Sequence, residues 1–307
     1  MKKTISWILV AVLGLVMCYS GYRIISSLCL GSTQNETHPS MQQAQSTAST
    51  APSTQRPTHS TAPSESQTTP TLPDPVNPLA GKVAIFLGDS ICAGTTVGED
   101  NPYYGYGWGG LIGEKNGMHW VNYGKNGAVI LGAQPMQRTI WEQLQTAKKQ
   151  HTSVDYILLE GGCNDAYQLG WDADQLGEIS PDFENFDTET FTGALEALFR
   201  DTKQAYPEAK IGYILTHKMG RAPFDAHSNV IRQYYERIIA VCEKWEIPYL
   251  DLWQESELDP SNLTHFDPTL TAGQAIAAGK FYIDSQHLTL AGYEKIVPLI
   301  EAFMRTL

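Results

Sequence analysis

The chain has 307 residues and a net charge of -12. It has no Lys/Arg run that would displace counterions from phosphates, so nucleic acid is not an expected partner. Its five cysteines show no C-x-x-C spacing, which excludes a disulfide framework and a zinc knuckle. Cys92, Cys163 and Cys242 read as small buried residues, and neither a metal nor another cofactor is expected.

Lys2 and Lys3 precede an apolar run from Ile5 to Met17, which continues less cleanly through Tyr19, Tyr22 and Ile25. Residues 1–30 therefore read as a membrane anchor or signal peptide, with the lysines holding the amino end in the cytoplasm. No clear A-x-A site follows the run, which favours the uncleaved anchor, and Met17 sits where a lipoprotein signal at Cys18 needs a small residue. Residues 31–80 are dominated by Ser, Thr, Pro, Gln and Ala, a composition too poor in large apolar side chains to order a backbone. They read as a disordered tether carrying residues 81–307 at the cell surface, or in the medium if the first segment is cleaved.

Beyond Gly81, short apolar runs alternate with helical patterns. Strands are expected at Lys82–Leu87, His119–Tyr123, Val154–Leu159, Ile211–Leu215 and Pro248–Leu252. Helices are expected at Gly109–Lys115, Pro135–Lys149, Thr190–Ala205, Ser228–Trp245 and Leu290–Met304. Such alternation predicts one α/β domain with a mostly parallel sheet covered on both faces and a site at the carboxyl ends of its strands.

Three groups of residues fall at those ends. Gly88-Asp89-Ser90 follows the first strand and puts a hydroxyl at the sheet edge, although Gly, Asp and Ser are common in turns and Ser90 could simply cap a helix. Asp284-x-x-His287 near the far end spaces a carboxylate and an imidazole so that one can hold the other, leaving the second ring nitrogen to face a serine. A neutral imidazole, with an ordinary pKa near ~6.5, can accept a serine proton. Finally, the backbone N–H groups of Ser90 and Gly127 and the amide of Asn164 can supply the converging donors that a tetrahedral oxyanion needs. Each group taken alone also fits a bland role in a turn, a cap or a surface pair.

Together and in this order, Ser90, Gly127, Asn164 and His287 resemble the four blocks that name the SGNH hydrolases, or GDSL esterases. Gly162-x-Asn164-Asp165 and Asp284-x-x-His287 match the block patterns closely, and the resemblance spans about residues 82 to 305. It implies a flavodoxin-like three-layer α/β/α sandwich with five parallel strands ordered 2-1-3-4-5, and metal-free hydrolysis of carboxylic esters. It also implies the roles: Ser90 as nucleophile, His287 as base, Asp284 as its orienter, and Ser90, Gly127 and Asn164 as the oxyanion hole. Cys92 departs from the pattern, standing where a second small residue is usual.

Tyr103, Tyr104 and Tyr106 crowd a glycine-rich loop beside Trp108 and form a candidate substrate platform suited to sugar faces. The stretch from Asp165 to Glu189 carries six further acidic residues up to Asp187, without Lys or Arg, and reads as a solvated insertion bordering the site. His217, His227 and His265 also fall in expected strand-end loops, within reach of a substrate. The expected partner is an acylated carbohydrate or another ester, with acetyl or short acyl groups removed. A lysophospholipase-like lipid esterase and a catalytically silent carbohydrate-binding protein are the competing readings.

Overall fold

A computed structural model of the chain describes residues 77–94, 106–132, 139–170, 172–220 and 226–307. The expected anchor and residues 31–76 of the expected tether lie outside the described residues, as do Cys18, Cys29, Tyr103 and Tyr104, whereas residues 77–80, expected in the tether, belong to the folded body, with Leu79 buried in its core. Among the described residues no helix is long and apolar enough to cross a membrane.

Five strands form one parallel sheet: β1 (Val83–Leu87), β2 (His119–Asn122), β3 (Tyr156–Glu160), β4 (Lys210–Leu215) and β5 (Tyr249–Asp251). Their spatial order is β2-β1-β3-β4-β5, with every neighbouring pair parallel. The expected α/β/α sandwich with its flavodoxin-like order is therefore present. The central strand β3 reads Tyr-Ile-Leu-Leu-Glu and is buried throughout, as a strand covered on both faces must be.

Alternation along the strands divides the core in two. Ile85, Leu87, Ile157, Leu159, Tyr213 and Leu215 point to one face, where α3 (Ile140–Gln150), α5 (Phe191–Ala205) and α6 (Ala226–Trp245) pack. Ala84, Phe86, Tyr156, Leu158 and Ile214 point to the other, covered by α2 (Gly107–Asn116) and α9 (Leu290–Thr306). The helices start where side-chain acceptors appear: Thr139 and Glu142 form a reciprocal capping box on α3, while Thr190 and Thr289 cap α5 and α9. Helix α2 lies close on the sheet because a side chain at Gly109 would reach within 2.3 Å of the Phe86 ring, and one at Gly113 within 2.2 Å of Trp120.

Four short helices occupy loops: α1 (Ser90–Ala93), α4 (Cys163–Gln168), α7 (Leu252–Glu255) and α8 (Ala272–Ala277). The acidic stretch is solvated, with Asp174, Glu178, Glu184, Asp187 and Glu189 exposed, but its backbone is tied down. Lys244 of α6 donates to the carbonyls of Ser180 (2.7 Å) and Asp182 (2.6 Å) and pairs with the buried Glu196. Arg237 bonds the carbonyl of Gly177. Cations supplied by α6 thus answer a segment that has none of its own.

Candidate active site

Strand β1 ends at Leu87, and the chain turns at once into α1, whose first residue is Ser90. Gly88 is required at this turn, since a Cβ there would lie 2.6 Å from the Cys92 Cβ and 2.7 Å from a Glu160 carboxylate oxygen. The Gln143 side chain fixes the same residue from α3, accepting from its N–H and donating to its carbonyl, both at 2.8 Å. Asp89 caps α1 by accepting from Ile91 N at 2.9 Å. Its other carboxylate oxygen accepts from Cys163 Sγ (3.2 Å) and Asn164 Nδ2 (3.3 Å).

The loop after β2 is tied to the serine turn. Asn122 donates to the carbonyls of Cys92 (2.7 Å) and Tyr106 (3.0 Å), and Lys125 N donates to Gly88 O (3.0 Å). Gly127 then takes a left-handed conformation, with φ of +70°. The Asn164 amide also donates to Ala128 O at 3.1 Å, linking this loop to the start of α4. Asp165 accepts from the amides of Ile130 (3.0 Å) and Leu131 (2.8 Å), holding the next stretch of the loop.

Asp284 and His287 sit in a tight bend closed by an antiparallel bridge between Tyr282 and Leu288. The bend brings the two side chains together: His287 Nδ1 lies 2.8 Å from Asp284 Oδ2, and Asp284 Oδ1 accepts from the amides of Gln286 (2.7 Å) and His287 (2.6 Å). On its far side, His287 Nε2 is 3.0 Å from Ser90 Oγ. An ionised Asp284 only accepts, so Nδ1 carries the ring proton and Nε2 is left to accept from the serine hydroxyl. His217 supports the bend from β4, where its Nε2 stands 2.8 Å from the Gln286 carbonyl and must donate to it. Burial holds His217 neutral, lowering its pKa to about 4.

A pocket of about 230 Å³ opens at this point, lined by Ser90, Gly127, Asn164 and His287, with Ile91 and Met219 as apolar walls. The expected nucleophile, base and oxyanion donors therefore share one cavity at the carboxyl ends of the strands. Tyr106 does not line it: the Tyr106 ring packs edge-on against Trp120 at 5.1 Å. Cys163 does line it and is only half-buried, unlike the buried Cys92 and Cys242. The acidic stretch borders a neighbouring groove through Thr188 and Glu189 rather than this pocket. Of the three loop histidines, His217 holds backbone, His265 accepts from Asp259 N, and the His227 side chain lies outside the described residues.

The charges beneath the serine are unusual. Burial by itself would lower the pKa of His287, but the hydrogen bond and charge of Asp284, with the charge of Asp89, carry it above its ordinary 6.5. Asp284 is conversely held below the usual carboxylate range, its own burial being outweighed by the His287 ring and by two amides. Glu160, at the end of β3, is buried and accepts from the amides of Asp89 and Cys92, both at 3.2 Å. Burial and then repulsion from Asp89 push it well above the carboxylate range, because two negative charges cannot both persist in this dry space. Burial also lifts Asp165 to about 7, against the pull of its two amide bonds.

Sequence reasoning missed the supporting roles of Asp89, Gln143, Glu160, Asp165 and His217. One signal for Glu160 was present: a charged residue closing an otherwise apolar strand.

The model of the GDSL-like lipase/acylhydrolase family matches residues 86–295. No curated protein matches the chain. Among solved structures, a protein from Lactobacillus plantarum aligns at 20% identity with a TM-score of 0.56, covering 74% of this chain and 98% of that one. A possible lipase from Chitinophaga pinensis aligns at 17% identity and a TM-score of 0.56, covering 73% and 98%. The inhibitor-bound M. smegmatis aryl esterase aligns at 13% identity and a TM-score of 0.51, covering 74% and 100%. At such identities the likeness speaks for the fold, while the family match spans most of the chain and every residue of the pocket's hydrogen-bonded line. The chain belongs to the GDSL-like lipase/acylhydrolase family and is a carboxylic ester hydrolase.

Proposed function

We propose that this enzyme removes acetyl or other short acyl groups from a carbohydrate outside the cell, using Ser90, His287 and Asp284 as a catalytic triad. The observation that carries the chemistry is the unbroken line from Asp284 Oδ2 through the His287 ring to Ser90 Oγ, at 2.8 and 3.0 Å. Ser90 attacks the ester carbonyl as His287 Nε2 takes its proton. The amides of Ser90 and Gly127 then receive the oxyanion, joined by the Asn164 side chain once it gives up one of its resting bonds to Asp89 and Ala128 O. The imidazolium returns the proton to the leaving alcohol, and a water activated by the same nitrogen releases the acid from the acyl-enzyme.

The size of the pocket supports a short acyl group, since about 230 Å³ flanked by Ile91 and Met219 suits acetyl better than a fatty chain. That weighs against the lipid esterase reading. Export rests on the apolar amino-terminal run and the polar tract after it.

The test is a chain-length series of p-nitrophenyl esters with the wild-type chain and Ser90→Ala. Turnover should peak at acetate or propionate and vanish in the variant while its circular dichroism stays unchanged. Undiminished hydrolysis by Ser90→Ala would refute the triad, and a maximum at octanoate or beyond would refute the short acyl group.

A further inference from the structure

Beside the Ser90 pocket lies a second, larger groove of about 490 Å³, within the size range of small-molecule sites. It runs between α3, the end of the acidic stretch and α5, and its inner wall is Ile130, Leu131 and Gly132. That wall continues directly from the oxyanion loop. Ile130 follows Gly127 by three positions, so their Cα atoms are no more than about 11 Å apart. Asp165 pins the same wall through the Ile130 and Leu131 amides, one residue after Asn164.

Trp141 stands in this groove and is 44% exposed, rare for so large an apolar side chain. It is nevertheless fixed in place. Its indole N–H donates to Asp201 Oδ2 at 2.8 Å, and the other oxygen of Asp201 accepts from Arg200 at 2.9 Å. Arg200 is steadied in turn by the Phe186 ring, 5.3 Å from its guanidinium carbon. Trp141 is thus held in a fixed orientation by a chain of polar partners while its ring stays partly open.

The surroundings of that ring select an occupant. Hydroxyls and charged groups of Thr139, Glu142, Thr188 and Glu189 border one aromatic surface. An acyl chain laid there would strip water from these groups and return no hydrogen bonds. An anionic polymer would meet Glu142, Glu189 and Asp201, with Arg200 as the one cation among the described residues that line the groove. A neutral pyranose answers both demands, with one C–H face to stack on an indole and a rim of hydroxyls to bond carboxylates.

We infer that the Trp141 groove is a saccharide subsite, which binds a neutral sugar unit of a polymeric substrate while a neighbouring unit presents its ester to Ser90. The inference rests on the carbohydrate reading above for the bond that is cut, and adds where the rest of the chain lies.

The experiment is calorimetric titration of the full chain with β-1,4-linked hexasaccharides of glucose, xylose and N-acetylglucosamine, repeated with Trp141→Ala and Trp141→Phe. At least one hexasaccharide should bind. Trp141→Ala should weaken it roughly tenfold or more, and Trp141→Phe, which keeps a stacking face, should weaken it much less. Both variants should hydrolyse p-nitrophenyl acetate within about twofold of wild type, a small molecule needing only the Ser90 pocket. Absence of binding by every hexasaccharide, or equal affinity in Trp141→Ala, would overturn the subsite. So would a loss confined to p-nitrophenyl octanoate, which would make the groove an acyl channel. Failure of the broader reading looks different: saccharide binding that depends on Trp141 in an enzyme unable to deacetylate acetylated saccharides keeps the subsite and discards the substrate.

Discussion

A serine hydroxyl becomes a nucleophile only when a neighbouring base is neutral, so the environment of one imidazole sets the working pH. Asp284 and Asp89 hold the His287 pKa above 6.5, and below that raised value the ring is an imidazolium that cannot accept a proton. Turnover of p-nitrophenyl acetate should therefore rise with pH through the raised pKa and then level off. Asp284→Asn removes the hydrogen bond and charge that lift it. In that variant kcat should fall by on the order of 10²–10⁴, and the acidic limb should move to lower pH. A limb that stays in place would show that Asp284 does not control the ring. Residues of this kind were legible in the sequence because the chemistry allows few substitutes: a hydroxyl, an imidazole and a carboxylate at a three-residue spacing leave a trace that local reading can find. Glu160 and His217 left almost none. Their importance comes from burial and from the backbone groups they meet across the fold, and Glu160 meets amides about 70 positions away.

At the scale of elements, what was readable followed periodicity. The five strands appeared within one or two residues of their expected limits because each is a short apolar run bounded by turn residues. The long helices announced themselves through helical patterns, although α3 begins at Ile140 rather than near Pro135, and the threonines that cap α3, α5 and α9 emerge only from the structure. Helix α1 was not foreseen as an element, since four residues are too few to show a period. The packing of the acidic stretch was also hidden, because the cations that hold its backbone come from another helix. Lys244 provides the test of that contact. Its ammonium is the partner of Glu196, whose side chain is fully buried, so Lys244→Met leaves a carboxylate uncompensated in the interior. The loss in stability should be about 3–5 kcal/mol, read from chemical denaturation. Activity on p-nitrophenyl acetate should persist below the melting transition, since Lys244 does not line the Ser90 pocket. A loss below about 1 kcal/mol would mean that the segment is held by other contacts.

For the whole molecule, the site lies where a parallel sheet opens at the carboxyl ends of strands running to either side of β1 and β3. The strand order explains why loops distant in sequence converge there: β1, β2 and β3 are adjacent, and each delivers one wall of the pocket. The net charge of -12 gives the chain as a whole a negative field. Anionic esters should thus be poorer substrates than neutral ones of the same size, and salt should narrow the gap. The comparison is p-nitrophenyl acetate against the mono-p-nitrophenyl ester of succinic acid. As ionic strength rises, kcat/KM of the charged ester should increase while that of the neutral one stays nearly flat. Parallel curves would remove any steering role for the charge.

The hydrogen bond between His287 and Ser90 joins residues 197 positions apart. During synthesis on the ribosome, the proposed nucleophile and oxyanion donors emerge well before the proposed base. A nascent chain stopped short of position 284 carries a serine no more reactive than any surface hydroxyl. On the proposed roles, Ser90 therefore gains its base only after residues 284–287 have been made and the bend bridged by Tyr282 and Leu288 has closed.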